Sequence, residues 1–309
     1  MTSSRKPLDP RITEQRNPRT AAIDLASSLE IVDLLNAEDR TVADAVATQR
    51  HAIARAIDIA EKSFRAGGRL FYVGAGTSGR LGVLDASECP PTFGVDPEMV
   101  QGIIAGGLPA LTTAQEGAVD SPQAAQDDIA ARFVGAKDFV IGIAASGTTP
   151  YVRAALDEAM KRKAATGIIA CSPPHDDLLQ RVSVAILPIT GPEAVTGSTR
   201  MKAGTATKLV LNTITTGVMI RMGKTFGNLM VDLRATNVKL ADRSERIVAE
   251  VCALSRPDAR TLLDRAGGRV KLAIVMHALG VEKDEAEKRL ADAGGVIRRV
   301  VDAPPPAVM

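Results

Sequence analysis

Short apolar runs alternate with amphipathic segments through the middle of the chain. Each run is five or six residues long and carries little polar character, which is typical of strands buried on both faces. The segments between the runs are long enough for helical crossovers. This alternation predicts an α/β fold with a doubly wound, parallel, five-stranded sheet. The predicted strands are 69–73, 100–104, 139–144, 167–171 and 184–188, and the predicted helices include 78–86, 121–132 and 150–163.

The N-terminal part has a different pattern. Residues 1–26 are polar and interrupted by prolines, which predicts an ordered arm or an extended lead. Helical periodicity begins near Ser28. Thr41 and Asp44 resemble a capping box and predict that a second helix starts there, and the Gly67-Gly68 pair predicts its end.

The C-terminal part lacks strand patterns after about Asp242. The apolar segment 199–222 predicts a helix that is buried in the domain or in a subunit interface. Breaks near 255–257, 267–268 and 294–295 predict three or four short helices. The predicted division is an N-terminal arm with helices (1–58), a sheet domain (59–222), and a linker with a small helical domain (223–309).

Composition and charge exclude several classes of function. The net charge is +2 and the basic residues are dispersed, which argues against nucleic-acid binding. No uninterrupted apolar run reaches membrane-spanning length, and residues 1–10 lack a signal-peptide pattern, so we expect a cytoplasmic protein. Three widely spaced cysteines predict reduced thiols, and three scattered histidines give no support to a metal site. We expect no cofactor.

The first candidate site follows the first predicted strand, in the loop Gly74-Ala-Gly-Thr-Ser-Gly79. Backbone N–H groups, hydroxyls and a helix N-terminus in such a loop can bind an anion. The spacing also fits the dinucleotide motif G-x-G-x-x-G, which requires an acidic residue after the second strand. Residues 103–107 contain no carboxylate there. A compact phosphate is therefore favoured over a dinucleotide, and a tight turn without ligand stays open.

A second loop, Ala144-Ala-Ser-Gly-Thr-Thr-Pro150, also links a predicted strand to a predicted helix. Carboxyl ends of parallel strands meet at one edge of a sheet, where ligands bind. Two hydroxyl-rich loops at that edge predict a sugar-phosphate site. The candidate ligands from the two loops are Gly76, Thr77, Ser78, Ser146, Thr148 and Thr149.

Charged candidates come from three further segments. Glu88 is followed by Pro90, Pro91 and Phe93, which predict a water-poor environment suited to a general acid, although an exposed helix end is equally compatible. Glu116 by itself resembles any solvated carboxylate. Ser198 and Lys202 lie in a loop that could contact an anion, and Lys202 could equally be an exposed basic residue at a helix start.

Several long motifs resemble a known family. The two loops are similar to the phosphate loops of sugar isomerase (SIS) domains. Longer segments are similar to the N-acetylmuramic acid 6-phosphate etherase family, across roughly residues 12–300; they are 13–18, 85–94, 195–205 and 226–232. The glucokinase regulatory protein shares this general architecture, but would be expected to have two SIS domains.

The resemblance implies a carbon–oxygen lyase that cleaves the C3 lactyl ether of N-acetylmuramic acid 6-phosphate during cell-wall recycling. It implies a homodimer that binds a small sugar phosphate, with a SIS domain at 59–222. The two family glutamates fall on Glu88 and Glu116. The family commonly has arginine where this chain has Thr148. A sugar-phosphate isomerase and a non-catalytic sugar-phosphate sensor are the alternatives.

Overall fold

Five short apolar stretches form one parallel sheet. The structure, a computed structural model, describes residues 9–115, 117–233 and 238–301. The strands are β1 (Leu70–Gly74), β2 (Val100–Ile104), β3 (Phe139–Ile143), β4 (Ala165–Ile169) and β5 (Val184–Ile186). Their spatial order is β2-β1-β3-β4-β5, and every adjacent pair is parallel. The predicted α/β fold with a five-stranded parallel sheet is confirmed.

Helices follow most of the strands and make up the C-terminal part. They are α1 (Ser28–Ala47), α2 (Arg50–Arg65), α3 (Gly76–Phe93), α4 (Pro122–Ala131), α5 (Pro150–Lys161), α6 (Asp176–Arg181), α7 (Lys202–Arg221), α8 (Val238–Cys252), α9 (Arg256–Arg265), α10 (Val270–Leu279) and α11 (Lys283–Asp292). A short antiparallel hairpin, β6 (Thr225–Phe226) and β7 (Leu229–Met230), was not predicted. No helix in the described ranges is both long and apolar enough to cross a bilayer.

The sheet is covered on both faces. A Cβ added at Gly82 of α3 would lie 2.9 Å from the Tyr72 side chain, so α3 packs closely on one face. A Cβ added at Gly142 of β3 would lie 2.6 Å from Val152 of α5. Gly142 pairs with Val73, the neighbour of Tyr72, so the two contacts are on opposite faces because side chains alternate along a strand. The helices α3 and α5 therefore cover opposite faces of the sheet.

Several boundary predictions are wrong. The helix predicted at 78–86 extends to Phe93, and the strand predicted at 184–188 ends at Ile186. Strand β4 begins two residues before the predicted range, because Ala165 pairs with Phe139 and the strand ends in step with its neighbour. Thr41 does not start a helix. Helix α1 runs through it, and its Oγ1 donates to the Glu38 carbonyl at 2.7 Å within the helix. The capping box that starts α1 is formed by Ser27 and Glu30.

The chain forms two compact units. The described residues up to Ser87, with Glu98–Thr215, make the first unit; Glu88–Pro97 and the described residues from Thr216 onward make the second. The main core of the first unit lies against the sheet and includes Phe71, Val140 and Leu156. The core of the second unit joins the hairpin to the C-terminal helices. The boundaries predicted at residues 58 and 222 stay a prediction.

Candidate functional site

The first loop makes a close turn between β1 and α3. Gly76 has φ +53°, a conformation that favours glycine. A Cβ at Gly74 would lie 2.7 Å from the backbone nitrogen of Gly79, so strand and helix approach too closely for side chains at these positions. The turn leaves Thr77 and Ser78 half-buried in the first turn of α3.

The second loop leaves the adjacent strand at the same edge. Gly74 of β1 pairs with Ile143 of β3, so the two loops start side by side. Gly147 has φ +76°, and a Cβ there would lie 2.7 Å from the Ser172 carbonyl oxygen. The Thr148 N–H donates to Ser146 Oγ at 3.3 Å, and the two hydroxyl oxygens are 3.1 Å apart.

One cavity of about 410 Å³ receives side chains from both loops. Thr149 is the N-cap residue of α5, yet its hydroxyl makes no capping hydrogen bond in the described structure. The hydroxyl is therefore available to a ligand. The residues of the two loops that line the cavity are Ala75, Gly76, Thr77, Ser78, Ala145, Ser146 and Thr149.

A larger depression of about 890 Å³ lies elsewhere on the first unit. Two arginine side chains that line this depression already pair with acidic residues. Arg181 donates to Asp157 at 2.7 Å, and Arg153 forms an ion pair with Asp177. Of the two glycine loops, only Pro150, the last residue of the second loop, is among the described residues that line this depression. We therefore assign the candidate site to the smaller cavity, where the hydroxyls of Thr77, Ser78 and Thr149 and the N-termini of α3 and α5 converge.

The N-terminal arm supplies another wall of this cavity. Its 3₁₀ turns are Ile12–Glu14, Pro18–Thr20 and Ile23–Leu25. Thr13 is fully buried; its N–H donates to Ser172 Oγ at 3.2 Å, and its carbonyl accepts from the Gly197 N–H at 3.2 Å. Arg11 and Glu14 line the cavity as a result. Sequence reasoning missed both, although residues 13–18 had been noted as a family motif.

Arg80 supports another part of the cavity wall. Its Nε donates to the carbonyl oxygens of Ala110 and Leu111, at 3.0 Å each. These hydrogen bonds hold the 3₁₀ turn Leu108–Leu111 against the start of α3. Arg80 therefore lines the cavity and also supports its shape.

The segment before α7 is fixed by buried charges. The carboxylate of Glu193 accepts from the backbone N–H groups of Lys202 at 3.0 Å and Ala203 at 2.9 Å, which caps α7. Burial raises the pKa of Glu193, since desolvation outweighs these hydrogen bonds. The Lys202 ammonium bonds Glu38 Oε2 at 2.6 Å with its side chain 1% exposed. Thr199, between these residues, lines the cavity.

Comparison with known proteins identifies the family. A family model of the glucokinase regulatory protein N-terminal SIS domain matches residues 52–160. An N-acetylmuramic acid 6-phosphate etherase from Rhodopirellula baltica is 52% identical over 292 residues, which cover 94% of this chain and 96% of the relative. The etherase of that name from Crocosphaera subtropica is 50% identical, with 94% of this chain and 95% of the relative covered.

The chain belongs to the N-acetylmuramic acid 6-phosphate etherase family. Among solved structures, it is similar to a phosphoheptose isomerase from Francisella tularensis, with a TM-score of 0.49, 16% identity, and coverage of 63% of this chain and 100% of the other.

Of the two glutamates expected from the etherase family, only Glu88 lies within the described residues. Glu88 lies on α3, in the second unit, and its side chain is exposed. The expected water-poor environment is not found in the single chain, where Pro91 is itself exposed. Glu116 lies outside the described residues.

Three other predicted ligands do not line the cavity. Thr148 bonds Ser146 from within the loop, and Ser198 lies next to Thr199, which takes the lining position. Lys202 was predicted to contact an anion or to be an exposed helix start. Its ammonium is instead buried against Glu38, so it is not offered to the cavity. A contact over 164 residues of sequence separation leaves no local signal.

Proposed function

We propose that this chain cleaves the D-lactyl ether at C3 of N-acetylmuramic acid 6-phosphate, giving N-acetylglucosamine 6-phosphate and D-lactate. The observation that carries the proposal is identity of 50–52%, over 94% of the chain, to relatives named as this etherase. A cavity lined by the hydroxyls of two adjacent loops supports a phosphorylated substrate.

The phosphate is bound, in this proposal, by Thr77, Ser78, Ser146 and Thr149. Each hydroxyl can donate to a phosphate oxygen, and the N-termini of α3 and α5 add favourable dipoles. Thr148 contributes indirectly, since its contact with Ser146 orients that hydroxyl. Ser198 is not among the described residues that line the cavity, and in this proposal it contributes only by positioning the adjacent Thr199.

The reaction proceeds by elimination followed by addition of water. The open-chain sugar has an aldehyde at C1, which makes the C2 proton acidic enough for a carboxylate base. Removal of that proton gives an enolate, which expels the C3 oxygen when an acid protonates it. Water then adds to C3 of the unsaturated aldehyde and C2 is protonated again, so the net change is hydrolysis. The steps require one base and one acid.

We assign the acid to Glu88 and the base to Glu116. Glu88 would protonate the departing lactate oxygen and then take a proton from the attacking water. Glu88 is exposed and is not among the described residues that line the cavity, so its assignment is supported by the family motif at 85–94 alone. The assignment predicts that Glu88→Gln still exchanges the C2 proton with solvent while cleaving almost no ether.

The test is incubation of the purified protein with N-acetylmuramic acid 6-phosphate, with released D-lactate measured by an independent dehydrogenase. Lactate release that is lost in Glu88→Ala supports the reaction and the residue together. Glu98→Ala, which removes another carboxylate near this segment, is the matched control and should release lactate. Interconversion of aldose and ketose phosphates without lactate would favour the isomerase alternative. Binding without any turnover would favour a sensor.

We further propose that the active form is a cytoplasmic homodimer. Large apolar side chains are exposed along the N-terminal segment, with Leu25 84%, Leu29 71% and Val32 51% exposed. A protein–protein contact would remove this surface from water. The three cysteines are all buried and widely spaced, which suits a reducing compartment. Light scattering that gives the monomer mass, 32.4 kDa, would contradict the dimer.

A further inference from the structure

One carboxylate lies in the wall of the phosphate cavity. Among the described residues that line this cavity, Glu14 is the only acidic one. It ends the 3₁₀ turn Ile12–Glu14 and is half-buried. The same cavity is also lined by the hydroxyl residues Thr77, Ser146 and Thr199.

The position of Glu14 is fixed by the fold. The preceding residue, Thr13, is fully buried and hydrogen-bonded on both sides, to Ser172 and to Gly197. Further along the arm, Thr20 Oγ1 donates to the Ala194 carbonyl at 2.7 Å. These contacts attach the arm to the loops after β4 and β5, and they hold the backbone next to Glu14 in place at the cavity.

The loop opposite Glu14 is shaped to admit its carboxylate. Gly197 has φ +74°, and a Cβ added there would lie 3.1 Å from Glu14 Oε2. A side chain at that position would push against the carboxylate. The glycine thus meets two requirements, the backbone conformation and the space for Glu14.

The carboxylate of Glu14 offsets part of the positive charge that Arg11 and Arg80 bring to the cavity wall. Arg11, the neighbouring cation of the arm, is bonded through Nε to Asp9 at 2.9 and 3.1 Å. Asp9, Arg11, Glu14 and Arg80 together carry a net charge of about zero at neutral pH, to which Glu14 contributes one negative charge. A carboxylate beside a phosphate site repels the anion, and the repulsion is offset when the ligand presents a hydrogen-bond donor to it.

We propose that Glu14 is a substrate-contacting residue that accepts hydrogen bonds from a hydroxyl or amide N–H of the sugar bound in this cavity. An amino-sugar phosphate carries hydroxyl and N-acetyl amide donors several bonds away from its phosphate group, and inorganic phosphate has only its own P–OH groups. Glu14 then selects amino-sugar phosphates against small phosphate anions by attracting one and repelling the other. The inference rests on the proposed function, which puts a sugar phosphate in this cavity.

The test is calorimetric titration of two probes, N-acetylglucosamine 6-phosphate and inorganic phosphate, into the full chain. Glu14→Gln keeps the size of the side chain and removes its charge. The variant should bind the sugar phosphate about tenfold more weakly or worse, because a hydrogen bond to a charged group is lost. It should bind inorganic phosphate a few-fold more tightly, because the repulsion is gone. This opposite change is one that a merely structural role would not produce.

Asp24→Asn is the matched control, since Asp24 is an exposed acidic residue of the same arm. It should leave both affinities unchanged. If Glu14→Gln changes neither affinity, or weakens both probes equally, the role of Glu14 is overturned while the proposed function stands. If the wild-type chain binds neither probe, the proposed sugar-phosphate site is overturned and this inference with it.

Discussion

Breaking the buried ion pair between Glu38 and Lys202 should destabilise the protein strongly. Glu38 is 2% exposed, and its Oε2 lies 2.6 Å from the Lys202 ammonium and 2.8 Å from Arg19 Nη2. Glu38→Gln keeps the shape but leaves the ammonium, on a side chain 1% exposed, without its charged partner. The substitution therefore tests what holds the start of α7.

Two arguments give the size of the effect. Removing one partner of a buried ion pair destabilises proteins by about 3–5 kcal/mol, because the other charge stays buried. The pKa of Glu38 is lowered from 4.5 to about 2, mainly by its hydrogen bond with Arg19, with Lys202 adding to it. That difference corresponds to about 3 kcal/mol. The two figures agree in order of magnitude.

The lowered pKa also fixes the direction of the pH dependence. A carboxyl group with a depressed pKa in the folded state stabilises the fold fully above its unfolded value and loses this contribution as pH falls toward the folded value. For Glu38 the window runs from about pH 5 down to about pH 2. Wild-type stability should fall in this range, and Glu38→Gln should show a smaller fall.

Urea unfolding at pH 7, followed by circular dichroism, measures the effect. Glu38→Gln should lower the free energy of unfolding by about 3 kcal/mol, and the melting temperature by about 6–12 °C. Asp39→Asn, the exposed neighbour on α1, is the control and should stay within about 0.5 kcal/mol. The double variant Glu38→Gln/Lys202→Met should recover part of the loss, because the unpaired charge is gone. A Glu38→Gln midpoint equal to that of Asp39→Asn would refute the reasoning.

Three further predictions concern single positions. Thr148→Arg should lower the inhibition constant of inorganic phosphate for lactate release about tenfold, since it adds a charge-assisted donor beside Ser146. Thr148→Val adds no charge and is the control, which should not show this decrease. An inhibition constant for Thr148→Arg equal to that of the wild type would contradict the prediction. Gly147→Ala should destabilise by more than Gly117→Ala in thermal melts, because both have positive φ but only Gly147 would place a Cβ 2.7 Å from a backbone oxygen; equal melting temperatures would argue against the clash. Burial raises the pKa of the Cys171 thiol to about 12, so it should react with a thiol reagent at pH 8 only after unfolding, and mass spectrometry of the native protein showing its rapid labelling would disprove this.

The sheet could be predicted from sequence because its signals are local. A buried strand is indicated by an apolar run, and its end is indicated by the glycines or the helical periodicity that follow. The strand Val100–Ile104 was predicted with its observed bounds. Thr41 shows the limit. Its hydroxyl fits an N-cap, but the same hydroxyl bonds a helical carbonyl once the helix continues, as it does through Val42, which is 1% exposed. Burial decides between the two, and burial is not a local property.

The candidate site, like the fold, could be predicted from the sequence only in part. The sequence by itself determined the two glycine-hydroxyl loops and the edge at which they lie, because loop chemistry and parallel topology are written in short segments. Only the tertiary structure decided that Glu14 joins them, that Lys202 is buried with Glu38, and that Thr199 takes the lining position. These facts depend on contacts between segments that are far apart in sequence, such as Thr13 with Ser172 and Glu38 with Lys202, and no periodicity or spacing along the chain encodes such contacts.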